Sequence, residues 1–151
     1  MLRDRIKSET VAAMKAGEKS RTAALRLISA KLKDRDIEQR TAAQPTADDD
    51  ALVIDVLQKM AKQRRESITM YQQGGRDELA AQEQAELVVI EEFLPRQMDE
   101  AETRAAIEGI KAELGASGMK DMGRVMAELK ARHGTVLDLG RASGWVKDSL
   151  A

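Results

Sequence analysis

One histidine stands in the 151-residue chain, and there is no cysteine. The sequence therefore offers no thiolate nucleophile, no thiolate zinc site and no disulfide, a composition that suits a reducing compartment. His133 is the only imidazole base. A hydrolytic triad needs a base held beside a nucleophile and an orienting group. His133 instead precedes Gly134 at an expected helix end, where its cationic form would favour the C-terminal dipole. Asp48, Asp49 and Asp50 are consecutive, so they point to different sides of a helix start and read as capping charge rather than a Mg²⁺ site. The run Gly115-Ala116-Ser117-Gly118-Met119-Lys120 lacks the spacing of a phosphate loop and any preceding strand. It is a plain interhelix turn, or a turn whose free amides, Ser117 and Lys120 would receive a phosphate oxygen. No catalytic residue and no metal ligand set emerges, and no cofactor is expected.

Cations near the C-terminus carry a different chemistry. Met119, Met122, Val125, Met126 and Leu129 claim one face of an expected helix. Lys120, Arg124 and Arg132 fall on another at steps of four with one missing, and Lys130 lies on the flank. With Arg141 and Lys147 from the last helix they form a candidate phosphate-reading surface, with a simple solvated face as the other reading. The only aromatic residues are Tyr71, Phe93 and Trp145, two of them in expected core stripes. That leaves no platform for stacking bases, so RNA would be bound through its backbone and shape.

The elements that must hold these residues are all helical. Leu2, Ile6, Ala13 and Met14 suggest a first helix stopped at Gly17. Ser20 is a candidate cap for a second, striped by Leu25, Ile28 and Leu32. A loop over 41–47 contains Pro45, and the aspartates then open a third helix striped by Val53, Leu57, Met60, Arg64, Ile68 and Tyr71. Gly74-Gly75 breaks it. The fourth helix is expected from about Asp77 to Leu94, striped by Leu79, Gln82 or Glu83, Glu86, Ile90 and Phe93 and ended by Pro95.

So short a turn makes an antiparallel hairpin. Reflection about position 75 sets Leu57 against Phe93, Met60 against Ile90, Tyr71 against Leu79, and Arg64 against Glu86. The last two are the only charged residues at mirrored stripe positions. They are expected to form a register-fixing ion pair, because an unpaired charge in the seam would cost several kcal/mol. Beyond Pro95, Asp99 with Glu102 resembles a capping box, and Ile107, Ile110 and Leu114 form a stripe ending at Gly115. Ser117 is a candidate start for the next helix, and Asp138 for the last, striped by Ala142, Trp145 or Val146, and Leu150. The expected architecture is all-α, with an N-terminal helical domain over 1–95 and a three-helix tail over 96–151.

Charge is uneven although the net is −1. Residues 1–40 and 117–147 carry basic surpluses, and 48–95 an acidic one. These blocks would complement one another or face partners. No apolar run approaches the ~20 residues of a membrane span. The N-terminus enters helical periodicity directly with no apolar core of a signal peptide, so a cytoplasmic location and no membrane partner are expected.

Several ordered motifs resemble the GatB/YqeY family over nearly the whole chain. They are Lys62-Gln63-Arg64-Arg65-Glu66-Ser67 with Tyr71, Gly74-Gly75-Arg76, Leu94-Pro95, and Lys120-Asp121-Met122-Gly123-Arg124-Val125-Met126 with Val146-Lys147 and Leu150. The resemblance implies a two-part helical fold like the C-terminal and tail region of the B subunit of glutamyl/aspartyl-tRNA amidotransferase. That region is associated with tRNA recognition, whereas the subunit's kinase-like chemistry lies in a separate domain that nothing here matches. By analogy, Lys120, Gly123, Arg124 and Lys130 are the positions expected to meet tRNA. Gly123 would serve either close backbone approach or close helix packing. The chain departs from the family's usual wording at 133–138, where a more basic turn is common, and this counts against strong tRNA affinity. Three functions follow as expectations: a non-catalytic tRNA-binding module or accessory of tRNA-dependent amidation, whose partners would be tRNA or a protein of that process; a protein-interaction adaptor; or an enzyme of the amidase or amidotransferase class. The last rests on family naming alone.

Overall fold

Every element of the chain is helical in the computed structural model, which describes residues 1–151. Seven α-helices run in order: α1 (Leu2–Ala16), α2 (Lys19–Gln39), α3 (Asp49–Gln73), α4 (Asp77–Glu91), α5 (Glu100–Leu114), α6 (Met122–His133) and α7 (Leu139–Leu150), with one 3₁₀ turn at Met119–Asp121. No helix is long and apolar enough to cross a membrane. The chain divides into two compact units, Met1–Leu94 and Pro95–Ala151, which fits the expected division.

In the first unit the inward stripes of α1 to α4 share one core. Ile6, Leu25, Ile28, Val53, Leu57, Ile90 and Phe93 are fully buried in it. Arg64 of α3 meets Glu86 of α4 at 2.8 Å, and Glu83 stands 3.1 Å from the same Nε, all three half-buried. The ion pair read from mirrored stripes is therefore present, and its cation has two carboxylates. One turn of Gly75 at φ 70° reverses the chain, a conformation that glycine adopts without penalty. Asp48 caps α3 by accepting from the Ala51 N–H at 3.2 Å.

Four details differ from the sequence reading. Ser20 does not cap α2, which starts at Lys19 with Glu18 as its N-cap. Gly17, at φ 72°, turns the chain so that the Glu18 N–H donates to Ala13 O at 3.0 Å, and the Glu18 carbonyl accepts from Thr22 at 2.9 Å. Backbone alone starts the helix, so no cap is called on. Helix α4 ends at Glu91, three residues before Leu94. Phe93 and Leu94 make tighter bonds to Ile90 O and Glu91 O at 3.2 Å each, because Pro95 disfavours α geometry in the residue before it. Leu79 is 37% exposed, while Ala80 is buried. The inward row of α4 runs Ala80, Leu87, Ile90 at helical spacing, and Leu79 lies about 100° off it. Met14 is half-exposed rather than in the core.

The tail unit closes on Ile107, Ile110, Val125, Leu129, Leu137, Ala142, Val146 and Leu150. Its ends are strongly capped. Asp99 accepts from the Glu102 N–H at 2.8 Å while Glu102 accepts from the Asp99 N–H at 3.3 Å, a reciprocal box. Gly115 ends α5 at φ 64°. Asp138 accepts from the Gly140 and Arg141 N–H groups at 2.9 and 3.3 Å.

Candidate nucleic-acid interface

Ser117 does not begin α6. A 3₁₀ turn capped at Gly118 intervenes, and α6 starts at Met122. The reason is Asp121. Its nearly buried carboxylate reaches back to accept from the Ser117 N–H at 3.1 Å and forward to accept from Arg124 at 2.6 Å. The Arg124 guanidinium, with the Ser117 amide, holds the Asp121 carboxyl below the usual carboxylate range. Amide and cation that would suit a phosphate here already share the chain's own carboxylate. Met119, assigned to the apolar stripe, is exposed because it precedes the α-helical turns. Lys120 also lies in the 3₁₀ turn, so the step from Lys120 to Arg124 is not a ridge of one α-helix.

Helix α6 turns Val125 and Leu129 into the core. Gly123 and Lys130, two turns apart, are on its exposed side. A side chain built on Gly123 would have no neighbouring heavy atom within 4 Å. Helix packing therefore does not demand this glycine, and bare backbone faces outward. Lys120, Lys130 and Lys147 are exposed without ion-pair partners. Arg132 differs: it bridges Glu113 at 2.5 Å and Glu128 at 2.9 Å, and the Glu113 bond, then that to Glu128, pushes its pKa further up. Its charge is already spent on holding α5 to α6.

On α7, Arg141 leaves the first turn and lies over the Trp145 ring at 5.2 Å, while Arg104 of α5 approaches the same ring at 5.7 Å. The sequence reading passed over Arg104, although its position three residues before Ile107 puts it at the rim of the buried stripe. It also passed over Asp121, whose spacing three before Arg124 is the available signal. A shallow groove of about 290 Å³ beside Trp145 is lined by Arg104, Ile107, Glu108, Asp148 and Ser149. His133 closes α6 as expected. No three histidine, aspartate or glutamate side chains gather as a metal site.

The chain thus combines a helical hairpin locked by Arg64 with a capped three-helix tail that carries an open Gly123. The family model described as Yqey-like protein matches residues 3–150. The chain belongs to that family. No curated protein matches the sequence. Family membership accounts for the ordered motifs of both units of this YqeY-type chain, and it leaves the ligand of the tail to be argued from the tail itself.

Proposed function

We propose that this YqeY-type protein is a non-catalytic accessory that binds tRNA through the phosphate backbone, using Lys120, Gly123, Lys130, Arg141 and Lys147 of the tail, with Arg124 joining when it leaves Asp121. The observation that carries this reading is Gly123. It is a poor helix former on the exposed side of α6, with empty space around it, between unpaired lysines. Bare backbone beside cations suits a phosphate that must come close. Arg132 contributes structure before binding, because two carboxylates hold it. The protein acts in the cytoplasm, beside the enzymes of tRNA-dependent amidation, and contributes no nucleophile of its own. A gel shift with total tRNA tests this. Binding that strengthens as salt falls is expected, because released counterions drive it. No shift at low salt contradicts it, and a defined protein partner captured after nuclease treatment would favour the adaptor reading instead.

A further inference from the structure

The first unit sorts its cations by direction. Arginines at the inner side of α1 and α2 are engaged: Arg3 with Asp36 and Asp49, Arg21 with Glu9 and Glu92, Arg35 with Asp55 and Glu38, and Arg5 over the Phe93 ring. On the outer side of α2 the reverse holds. Lys19, Arg26, Lys33 and Arg40 recur every seventh residue, all exposed, and none has an ion-pair partner. Only the Met14 sulfur accepts from Arg26, at 3.6 Å. Seven residues are close to two turns, so the four cations form one line, drifting ~20° per step, with about 10 Å between neighbours and about 30 Å end to end. Between Lys19 and Lys33 no acidic residue stands three or four places from a cation of the line; Asp36, between Lys33 and Arg40, is held by Arg3. Lys7 and Lys15 of α1 are exposed and unpaired as well.

We propose that this line on α2 is a second phosphate-tracking surface, along which the backbone of a structured RNA runs. This rests on the reading of the protein as an RNA binder, but not on the tail residues. The apolar content of the face decides the class of partner. The large apolar residues Leu25, Ile28 and Leu32 of α2 are buried in the core, and Ala23 and Ala30 lie beside the cations. A helix lying in a membrane surface needs an apolar stripe to insert, and this one has already used its own. A protein partner would be anchored by aromatic or aliphatic side chains in pockets, and the large exposed apolar residues beside this line, Met14, Leu27 and Ile37, are scattered singly rather than gathered into one patch. A polyanionic backbone needs only cations at regular spacing.

The test is a salt titration of fluorescent tRNA binding to the whole chain. It compares wild type, the variant Lys19→Gln/Arg26→Gln/Lys33→Gln/Arg40→Gln, and the tail variant Lys120→Ala/Arg124→Ala. Glutamine keeps helix propensity, and circular dichroism checks the fold. The α2 variant is expected to lose tenfold or more in affinity at low salt and to show a log–log slope shallower by about three. Lys19→Arg/Lys33→Arg should bind like wild type. Should the fourfold variant unfold, Arg26→Gln and Lys33→Gln alone should each reduce the slope by about one. An unchanged slope overturns the α2 surface whatever the tail variant does. A loss in the α2 variant with none in the tail variant keeps the α2 surface and removes the tail reading. No tRNA binding by wild type at low salt removes both. Binding of poly-glutamate or phosphatidylserine vesicles that depends on the α2 cations, with tRNA binding unchanged, overturns the RNA assignment.

Discussion

In Met1–Leu94 the inward arginines bridge helices, whereas in Pro95–Ala151 most guanidiniums find a partner within one turn of their own helix or on an aromatic ring. Arg3 links α1 to α2 and to the start of α3, Arg35 links α2 to α3, and Arg64 links α3 to α4. In the tail, Arg104 pairs with Glu100 and Arg124 with Asp121 at helical spacing, and Trp145 takes Arg141. Long helices with a shared core use ionic clamps to fix their register. The short helices of the tail rely mainly on caps and a small apolar core, with Arg132 tying α5 to α6 and Arg104 reaching Asp148 of α7, and several lysines remain uncommitted. The ion pairs of the first unit therefore lie mainly between helices, and those of the tail mainly along one helix.

Four substitutions or titrations bear on this contrast. The largest effect is expected at the tail core. Leu129→Ala removes a fully buried side chain and should cost about 3 kcal/mol, read from Trp145 fluorescence during urea unfolding. A loss below ~1 kcal/mol would mean that the tail does not depend on its apolar centre. Next is the hairpin clamp. Arg64→Ala leaves Glu83 and Glu86 half-buried and facing each other. It should cost about 2 kcal/mol, less than a fully buried pair because solvent reaches the site. Adding Glu83→Gln and Glu86→Gln should restore most of that stability, and failure to do so would show that the clamp is not electrostatic.

A smaller effect is expected in the acid range. Burial alone would raise the Asp55 carboxyl, but Arg35 and Lys59 outweigh it and hold it below its ordinary value. A depressed folded pKa stabilises above the unfolded value and loses that contribution as pH falls through the folded one. NMR titration should place the Asp55 midpoint below the ordinary 3.8, and Arg35→Gln should move it upward. An unmoved midpoint would remove Arg35 as its cause. The smallest effect is expected for Arg132→Gln on RNA affinity. Glu113 and Glu128 already hold that guanidinium, so less than about a twofold change is expected. A tenfold loss would place Arg132 in the interface and blur the distinction between the units.

The hairpin was legible because opposite charges stood at mirrored stripe positions, and only one register brings Arg64 to Glu86. Asp48, Asp99 with Glu102, and Asp138 were legible because a side chain does the capping within a few residues of its target. Ser20 and Ser117 misled for the same physical reason in reverse. At those helix starts the backbone bonds of Glu18 and the carboxylate of Asp121 take the place of the serine, and such substitutes follow from turn geometry rather than residue type. Leu79 against Ala80 is a rotation by one residue, which an apolar count cannot fix when the small side chain faces inward. Arg104 on Trp145 depends on α5 meeting α7, a contact that no local spacing encodes. The line on α2 was visible only as a basic surplus, because its meaning lies in which cations the folded unit leaves unpaired.

The tail's exposed lysines and its open glycine are held to meet phosphates, and the slope of tRNA affinity against salt reports those contacts. For Lys120→Ala/Arg124→Ala, affinity should fall for every tRNA tested and the slope should become shallower by one to two, about one per lost phosphate contact. Wild-type affinity and slope in that variant would contradict the assignment of the tail.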